Sequence, residues 1–385
     1  MFPTIKPRRL MTITLLACGC SQMLAATPPP LTTPDFSPEP ALGAEYLGTF
    51  SGEASVSAGG NASYSLPLEI PPGTSGMAPT LSINYNSNMR NGLLGLGWFM
   101  RGASSTITRC PRNLSQDGQI RAVDYTAQDR FCLDGNRLVA VAGSYGADGT
   151  QYRTEIDRFS RIISHGVAGA GPAYFTVETK SGLTRHYGHS DDSRIEAYSR
   201  DDVRVWAMNR SQDRLGNYYS IEYFENPSSR QYYATRINYT GNDQAGLAPY
   251  ASIIFKYEDR SDWSVIKYSG GYEYRLHPAR LINIQSYVDD NLVGDYRLAY
   301  EEIGADRRSR LTRIERCDAG GSCQKPIDLQ WRSSRTTFSA YELSLPASVG
   351  ETPTATMPRW HDFNGDGRPD YIRSVYPNWY STQSL

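Results

Sequence analysis

"YYSIEYF", residues 218–224, sets apolar and polar side chains against one another in a two-residue period. That period belongs to a β-strand whose two faces meet different surroundings. Working outward, the same alternation returns in "SYSLPLEI" (63–70), "TLSINYN" (80–86), "YFTVETK" (174–180), "SIIFKYE" (252–258), "YRLAYEE" (296–302) and "IDLQWR" (327–332). No stretch of a dozen residues carries a convincing apolar stripe of helical period. Gly, Asn, Asp and Pro interrupt the strands about every ten residues, the spacing of an all-β protein. Aromatic usage agrees, with 27 Tyr against 11 Phe. A tyrosine joins an apolar ring to a polar tip and suits a sheet with one wet face.

The second half holds an approximate repeat. A strand with Arg and aliphatic residues is followed, after a loop, by a strand ending in an aromatic. "TRINY" leads to "IIFKY", "ARLINI" to "YRLAY", and "SRLTRI" to "IDLQW", so the units run from Ile237 to Tyr257, Ile284 to Tyr300 and Ile314 to Trp331. Each unit spans one antiparallel hairpin. Hairpins that cannot bury a face alone imply stacking into a larger continuous sheet, an ordinary meander being the alternative.

With 385 residues the chain is long enough for two or three domains or one large β architecture. A formal net charge of −1, with no basic run after the first ten residues, argues against nucleic acid as a partner. Residues 1–26 read as an export signal. Lys6, Arg8 and Arg9 precede the apolar "LMTITLLACGC", which is too short to span a bilayer. Two exits are open. "LLAC" ending at Cys18 has the form of a lipobox, with Cys20 as a weaker frame, and would leave an outer-membrane-anchored lipoprotein. Cleavage after Ala26 would release a secreted protein instead. Residues 27–44 follow as a Pro-rich linker. In an exported chain two local pairs read as two disulfides, one joining Cys110 to Cys132 and the other joining Cys317 to Cys323. Zinc is the rival, but neither pair has the usual ligand spacing and no nearby His completes a set.

Signals for catalysis are thin. "NGLLGLGW" (91–98) lacks the spacing of a dinucleotide loop and reads as a tight turn with Trp98 anchored in the core. "IPPGTSGMAP" (70–79) is likewise a turn. In "HYGH", His186 and His189 stand three apart, which on a strand places them on opposite faces, a poor arrangement for a shared metal. The adjacent carboxylates of "YSRDDVRV" and "SYVDDNLV" read as turn aspartates rather than an acid/base pair. Asp362, Asn364, Asp366 and Asp370 are different. They stand at positions 1, 3, 5 and 9 of a loop with Gly367 at position 6, which suits Ca2+, and Arg373 replaces the glutamate an EF-hand needs at position 12.

Two long stretches, residues 48–87 ("GTFSGEASVSAGG…TLSINYNS") and 91–112 ("NGLLGLGWFMRGASSTITRCPR"), resemble the N-terminal region of virulence-plasmid B proteins and of the B subunits of insecticidal toxin complexes. "DRFCLDGNRLV" (129–139) matches the same region, and "WAMNRSQDRLGNYYSIEYF" (206–224) resembles an Rhs/YD-type segment. "RWHDFNGDGRPDYI" (359–372) resembles the start of an FG-GAP/VCBS-like repeat, in which the Arg368 carbonyl would be a further calcium ligand. The resemblance implies an all-β domain over 45–340, built of stacked antiparallel hairpins and forming part of an Rhs-type β-shell. An incomplete propeller-type repeat over 350–385 would follow it. The relatives' ADP-ribosylating activity belongs to a separate C-terminal domain, and no E-x-E pair in the required context occurs here. The expected function is therefore non-enzymatic: a shell segment of an exported, toxin-related virulence protein, truncated relative to its relatives. Its partners would be other toxin-complex or Rhs-type polypeptides, either cargo or shell-completing, and membrane attachment would come only through the N-terminal lipid. The alternative is a surface-anchored adhesion or carbohydrate-contacting module.

Overall fold

The computed structural model describes residues 48–197, 200–226, 230–262, 264–269, 272–276, 279–302, 308–331, 359–361, 370–375 and 378–382. One compact unit begins at Gly48. Its first strands are β1 (Glu53–Val56), β2 (Ala62–Pro67) and β3 (Ser82–Asn86). A minimal hairpin of β4 (Asn91–Gly92) and β5 (Gly95–Leu96) leads to β6 (Trp98–Arg101), and the sheet order is β1-β2-β3-β6. Leu66, Leu81, Ile83 and Trp98 fill its inner face, the indole only 3% exposed. The tight turn expected over 91–98 is present. Gly95 and Gly97 take φ of +83° and +79°, and a Cβ on Gly97 would lie 2.5 Å from the Tyr85 ring. Glycine is needed there for both conformation and clearance.

The next strands are β7 (Thr106–Cys110), β8 (Arg130–Leu133), β9 (Asn136–Ala142), β10 (Gln151–Thr154), β11 (Arg161–His165), β12 (Tyr174–Glu178), β13 (Thr184–Tyr187), β14 (Arg194–Glu196) and β15 (Val203–Gln212). Each strand from β7 to β13 pairs with the next, and β15 pairs with both β7 and β13, closing a barrel of eight strands. The short β14 pairs with β15 outside that ring. A barrel of this size has an interior just wide enough for side chains. Phe131, Phe175 and Trp206 meet edge to face there, with centroids 5.2 to 5.4 Å apart. Beside them the Arg109 guanidinium, 1% exposed, pairs with Asp129 at 3.0 Å and donates to the Val203 carbonyl at 2.7 Å. The single α-helix among the described residues is one turn, Leu114–Asp117, capped by the Asn113 side chain.

From β15 the sheet continues as an antiparallel ladder through β16 (Asn217–Asn226), β17 (Gln231–Asn242) and β18 (Ala251–Asp259). The chain then forms a separate hairpin of β19 (Ser264–Ser269) and β20 (Tyr272–Leu276). It rejoins the ladder with β21 (Ala279–Val288), β22 (Asn291–Glu302), β23 (Ser309–Cys317) and β24 (Ile327–Asp328). The repeated units are β17–β18, β21–β22 and β23–β24, and they join one continuous antiparallel sheet in meander order. A three-stranded sheet of β25 (Arg359–His361), β26 (Asp370–Val375) and β27 (Asn378–Thr382) ends the described chain.

Candidate functional site: an aromatic crease and its cavity

The register of the ladder slips by one residue at four places that follow one another from strand to strand. The slips fall at Tyr187, Tyr223, Tyr257 and Tyr300, whose partners across the ladder are Met208, Ala234, Leu281 and Leu311. An extra residue sits beside each partner, the defining feature of a β-bulge, and bulges bend the strand that carries them. Each partner's carbonyl is capped by an aromatic from the second half of its own hairpin. Tyr223 donates to Met208 at 2.7 Å, Tyr257 to Ala234 at 2.7 Å, Tyr300 to Leu281 at 2.5 Å, and the Trp331 indole to Leu311 at 2.7 Å. The aromatic residues that close the three sequence repeats are therefore the caps of three successive bulges. An uncapped buried carbonyl would cost about 1–3 kcal/mol, more than the net gain of an ordinary hydrogen bond, so the repeat demands a donor here. Burial pushes the Tyr257 and Tyr300 phenols far above their usual range, so both remain donors.

Over this crease lies a cavity of about 510 Å³, within the ordinary range for ligand pockets. Its far wall comes from the ladder, with Tyr223, Tyr232, Tyr233, Tyr257 and Leu281, and its near wall from the segment that includes Leu93, Phe99 and Met100. The two walls are joined where the Leu281 amide donates to the Leu93 carbonyl at 2.8 Å. A buried ion pair holds the near wall: Arg260 binds Asp262 at 2.6 Å and the Gly92 carbonyl at 2.6 Å. Burial opposes the Asp262 charge, but Arg260 and hydrogen bonds from Ser309 and Asn91 outweigh it, so the carboxyl sits well below its usual range.

One end of the cavity is polar. Arg230, with φ of 52° in the turn between β16 and β17, binds Glu196 and Glu225, each at 3.0 Å. Arg204 donates to the Arg230 carbonyl at 2.8 Å. Among the described residues two donors at this end are buried without a partner, Arg230 Nε and Gln231 Nε2, and Gln231 as a whole is 8% exposed. Sequence reasoning missed this site. Gln231 lies just before a run of tyrosines, and nothing in its neighbours marks it as buried.

The residues singled out from sequence fare differently. Both expected cysteine pairs stand at disulfide distance, Cys110 with Cys132 and Cys317 with Cys323. The setting of Cys132 departs from a simple closure of the loop between the two cysteines. Cys132 lies inside β8, buried at 7% exposure, and faces Thr108 across the ladder, whereas Cys110 faces Arg130. The link from Cys132 to Cys110 is therefore diagonal, between neighbouring strands that backbone hydrogen bonds already hold together. Cys317 and Cys323 meet across one β-bridge. Glu315 joins this second pair in a cluster of metal-ligand atoms, but sulfurs so paired offer no thiolates. Asp289 and Asp290 form the turn between β21 and β22, both with positive φ. Asp202 accepts from the Ala170 amide at 2.7 Å.

The expectation for His186 and His189 is corrected. β13 ends at Tyr187, and Gly188, with φ of +71°, folds the chain back, so that the two rings lie 5.2 Å apart. His189 also meets Tyr174, which stacks on His165 at 4.6 Å. Strand alternation does not apply once a glycine has ended the strand. Cys18 and Cys20 lie outside the described residues, as do Asp362, Asn364, Asp366 and Arg368. Asp370 opens β26, which pairs antiparallel with β25, so the proposed calcium loop is bracketed by strands.

The fold of this chain, a closed β-barrel continued by an antiparallel ladder, is similar to that of solved toxin-complex structures. Its structure matches the TcdB2–TccC3 crystal structure with a TM-score of 0.63 and 19% identity over 87% of this chain. The Photorhabdus luminescens Tc holotoxin pore matches with a TM-score of 0.61 and 19% identity over 90%. In each case this chain spans 19% of the larger chain, and at such identity the likeness is one of fold. The N-terminal domain of the effector SpvB from Salmonella typhimurium strain LT2 matches over 98% of its own length and 66% of this chain, with a TM-score of 0.52 and 17% identity. No curated protein sequence matches. The Salmonella virulence plasmid 65kDa B protein family model matches residues 56–263, more than half of the chain, and the chain belongs to that family.

Proposed function

We propose that this chain is a non-enzymatic shell segment of an exported, toxin-related virulence protein, enclosing or presenting another polypeptide. The observation that carries the proposal is the line of aligned bulges, each capped by the aromatic that closes its own repeat. Bulges in register bend alternate strands in the same sense, so the sheet acquires curvature as it grows. A curved sheet with fresh hairpins at its end is suited to enclosing volume, and the structurally similar TcdB2–TccC3 is an assembly of more than one component. The partners are then Rhs-type or toxin-complex polypeptides, as cargo or as the rest of the shell. Export proceeds through the signal at residues 1–26, with lipid on Cys18 or release after Ala26. Calcium at Asp362, Asn364, Asp366, Asp370 and the Arg368 carbonyl orders the repeat that follows. Co-expression with an Rhs-type polypeptide encoded beside it tests the proposal. The two chains should co-elute in size-exclusion chromatography, with the second shielded from proteinase K. Separate elution with full digestion of the second chain would refute it, and label transferred to protein from radioactive NAD+ would refute the non-enzymatic part.

A further inference from the structure

We infer that the cavity over the crease is a binding site for an aromatic residue of a polypeptide, taken up with a neutral amide carbonyl at its polar end. Three observations converge on this ligand. The walls are aromatic and aliphatic, with Phe99, Met100, Tyr232, Tyr233 and Tyr257 around a space of about 510 Å³. That surface suits a flat apolar group, since aromatic pairs gain from offset and edge contacts beyond their buried area. The donors left without partners, Gln231 Nε2 and Arg230 Nε, then call for an acceptor. The terminal torsion of a glutamine amide is soft, so Gln231 can turn its donor onto an acceptor lodged in the cavity.

Charge decides the kind of acceptor. Arg204 and Arg230 line this end, and Arg230 is paired behind the lining with two carboxylates, Glu196 and Glu225. With the cationic charge balanced, a carboxylate ligand gains little attraction and meets acidic neighbours. A neutral carbonyl meets no such opposition. Arg230 adds a second sign of a built site, because a non-glycine residue at φ of 52° is strained and holds its side chain where relaxed backbone would not. The cavity stands on its own geometry, whereas the choice of a polypeptide as occupant rests on the shell reading above.

The probe is N-acetyl-L-phenylalaninamide, followed by saturation-transfer NMR on the full chain, with N-acetyl-L-phenylalanine as the charged counterpart. The amide should bind and the carboxylate should bind several-fold more weakly. Gln231→Leu, which keeps volume and removes the donor, should weaken the amide about 3- to 10-fold, the worth of one hydrogen bond. Met89→Trp, at the exposed rim and clear of the core, should block entry and abolish the signal. No saturation of the amide at about 10 mM, the millimolar limit of useful affinity, would mean that ordered water alone fills the cavity, and would overturn the inference. Equal binding of amide and carboxylate, or binding unchanged in both variants, would overturn it as well. None of these failures touches the shell reading, which the co-elution experiment tests separately.

Discussion

Tyr300 shows how much of this structure rests on single hydroxyl groups. Its phenol is enclosed, and its one polar atom reaches the Leu281 carbonyl, which the bulge at Tyr257 has turned out of the ladder. Removing that oxygen changes almost no volume but leaves a buried carbonyl bare. Tyr300→Phe is expected to lower the free energy of unfolding by about 1–3 kcal/mol, read from the urea midpoint at an unchanged slope. Tyr250→Phe, at a half-exposed position, should stay within about 0.5 kcal/mol of the parent. Equal effects at the two positions would mean that the bulge caps carry no special weight. The contrast is between capping and packing, because both variants keep the ring.

At the level of elements, β15 pairs with β13 on one side of the barrel, and His186 sits opposite Arg210 in that seam. Burial, followed by His189 and Arg210, lowers its pKa to about 4. The folded state thus prefers the neutral imidazole, while the unfolded chain takes up a proton near pH ~6.5. Stability is complete above that pH, declines as pH falls toward about 4, and loses nothing further below it. Protonation would also set the charge against Arg210, His165 and His189, with Asp148 the nearby anion that favours charge on His165. Because the ring is partly open to solvent, the loss between pH 7 and 4.5 should be on the order of 1–2 kcal/mol. His186→Phe should flatten this dependence in urea titrations at the two values. Parallel pH profiles for parent and variant would remove His186 from the account.

The whole molecule joins a large barrel-and-ladder unit to a small sheet that follows it in the chain. The proposed calcium loop lies between β25 and β26, which belong to that small sheet. Calcium should therefore protect sites between Val349 and Tyr371 from protease, while the barrel and ladder stay resistant with or without metal. Asp366→Ala removes one charged ligand and should abolish the protection without altering the unfolding of the larger unit. Identical digestion of parent and variant across a calcium titration would reduce the motif to a turn. Loss of resistance throughout the chain in Asp366→Ala would instead mean that the two parts fold as one.

Much of this was legible in the residues themselves. The two-residue period set which side chains share a face, and the turns at 91–98 and at Asp289–Asp290 follow from local backbone chemistry. The aromatic ends of the hairpin repeats were visible too, though their role as bulge caps was not. The partner of Cys132 could be read from spacing, but its burial in β8 and its diagonal register could not. What the chain alone could not reveal was strand pairing. Barrel closure joins β7 to β15 across almost a hundred residues, and alternation identifies a strand's faces without identifying its neighbour. Bulges shift register by a single residue, below the resolution of any periodic pattern, yet they create the crease. The cavity needs walls from around residues 93 and 257 together, so only packing brings Gln231 to a buried position beside aromatic rings. Local sequence determined strands, faces and turns because those depend on neighbours along the chain. Closure, curvature and the site depend on neighbours in space, and only the tertiary structure decided them.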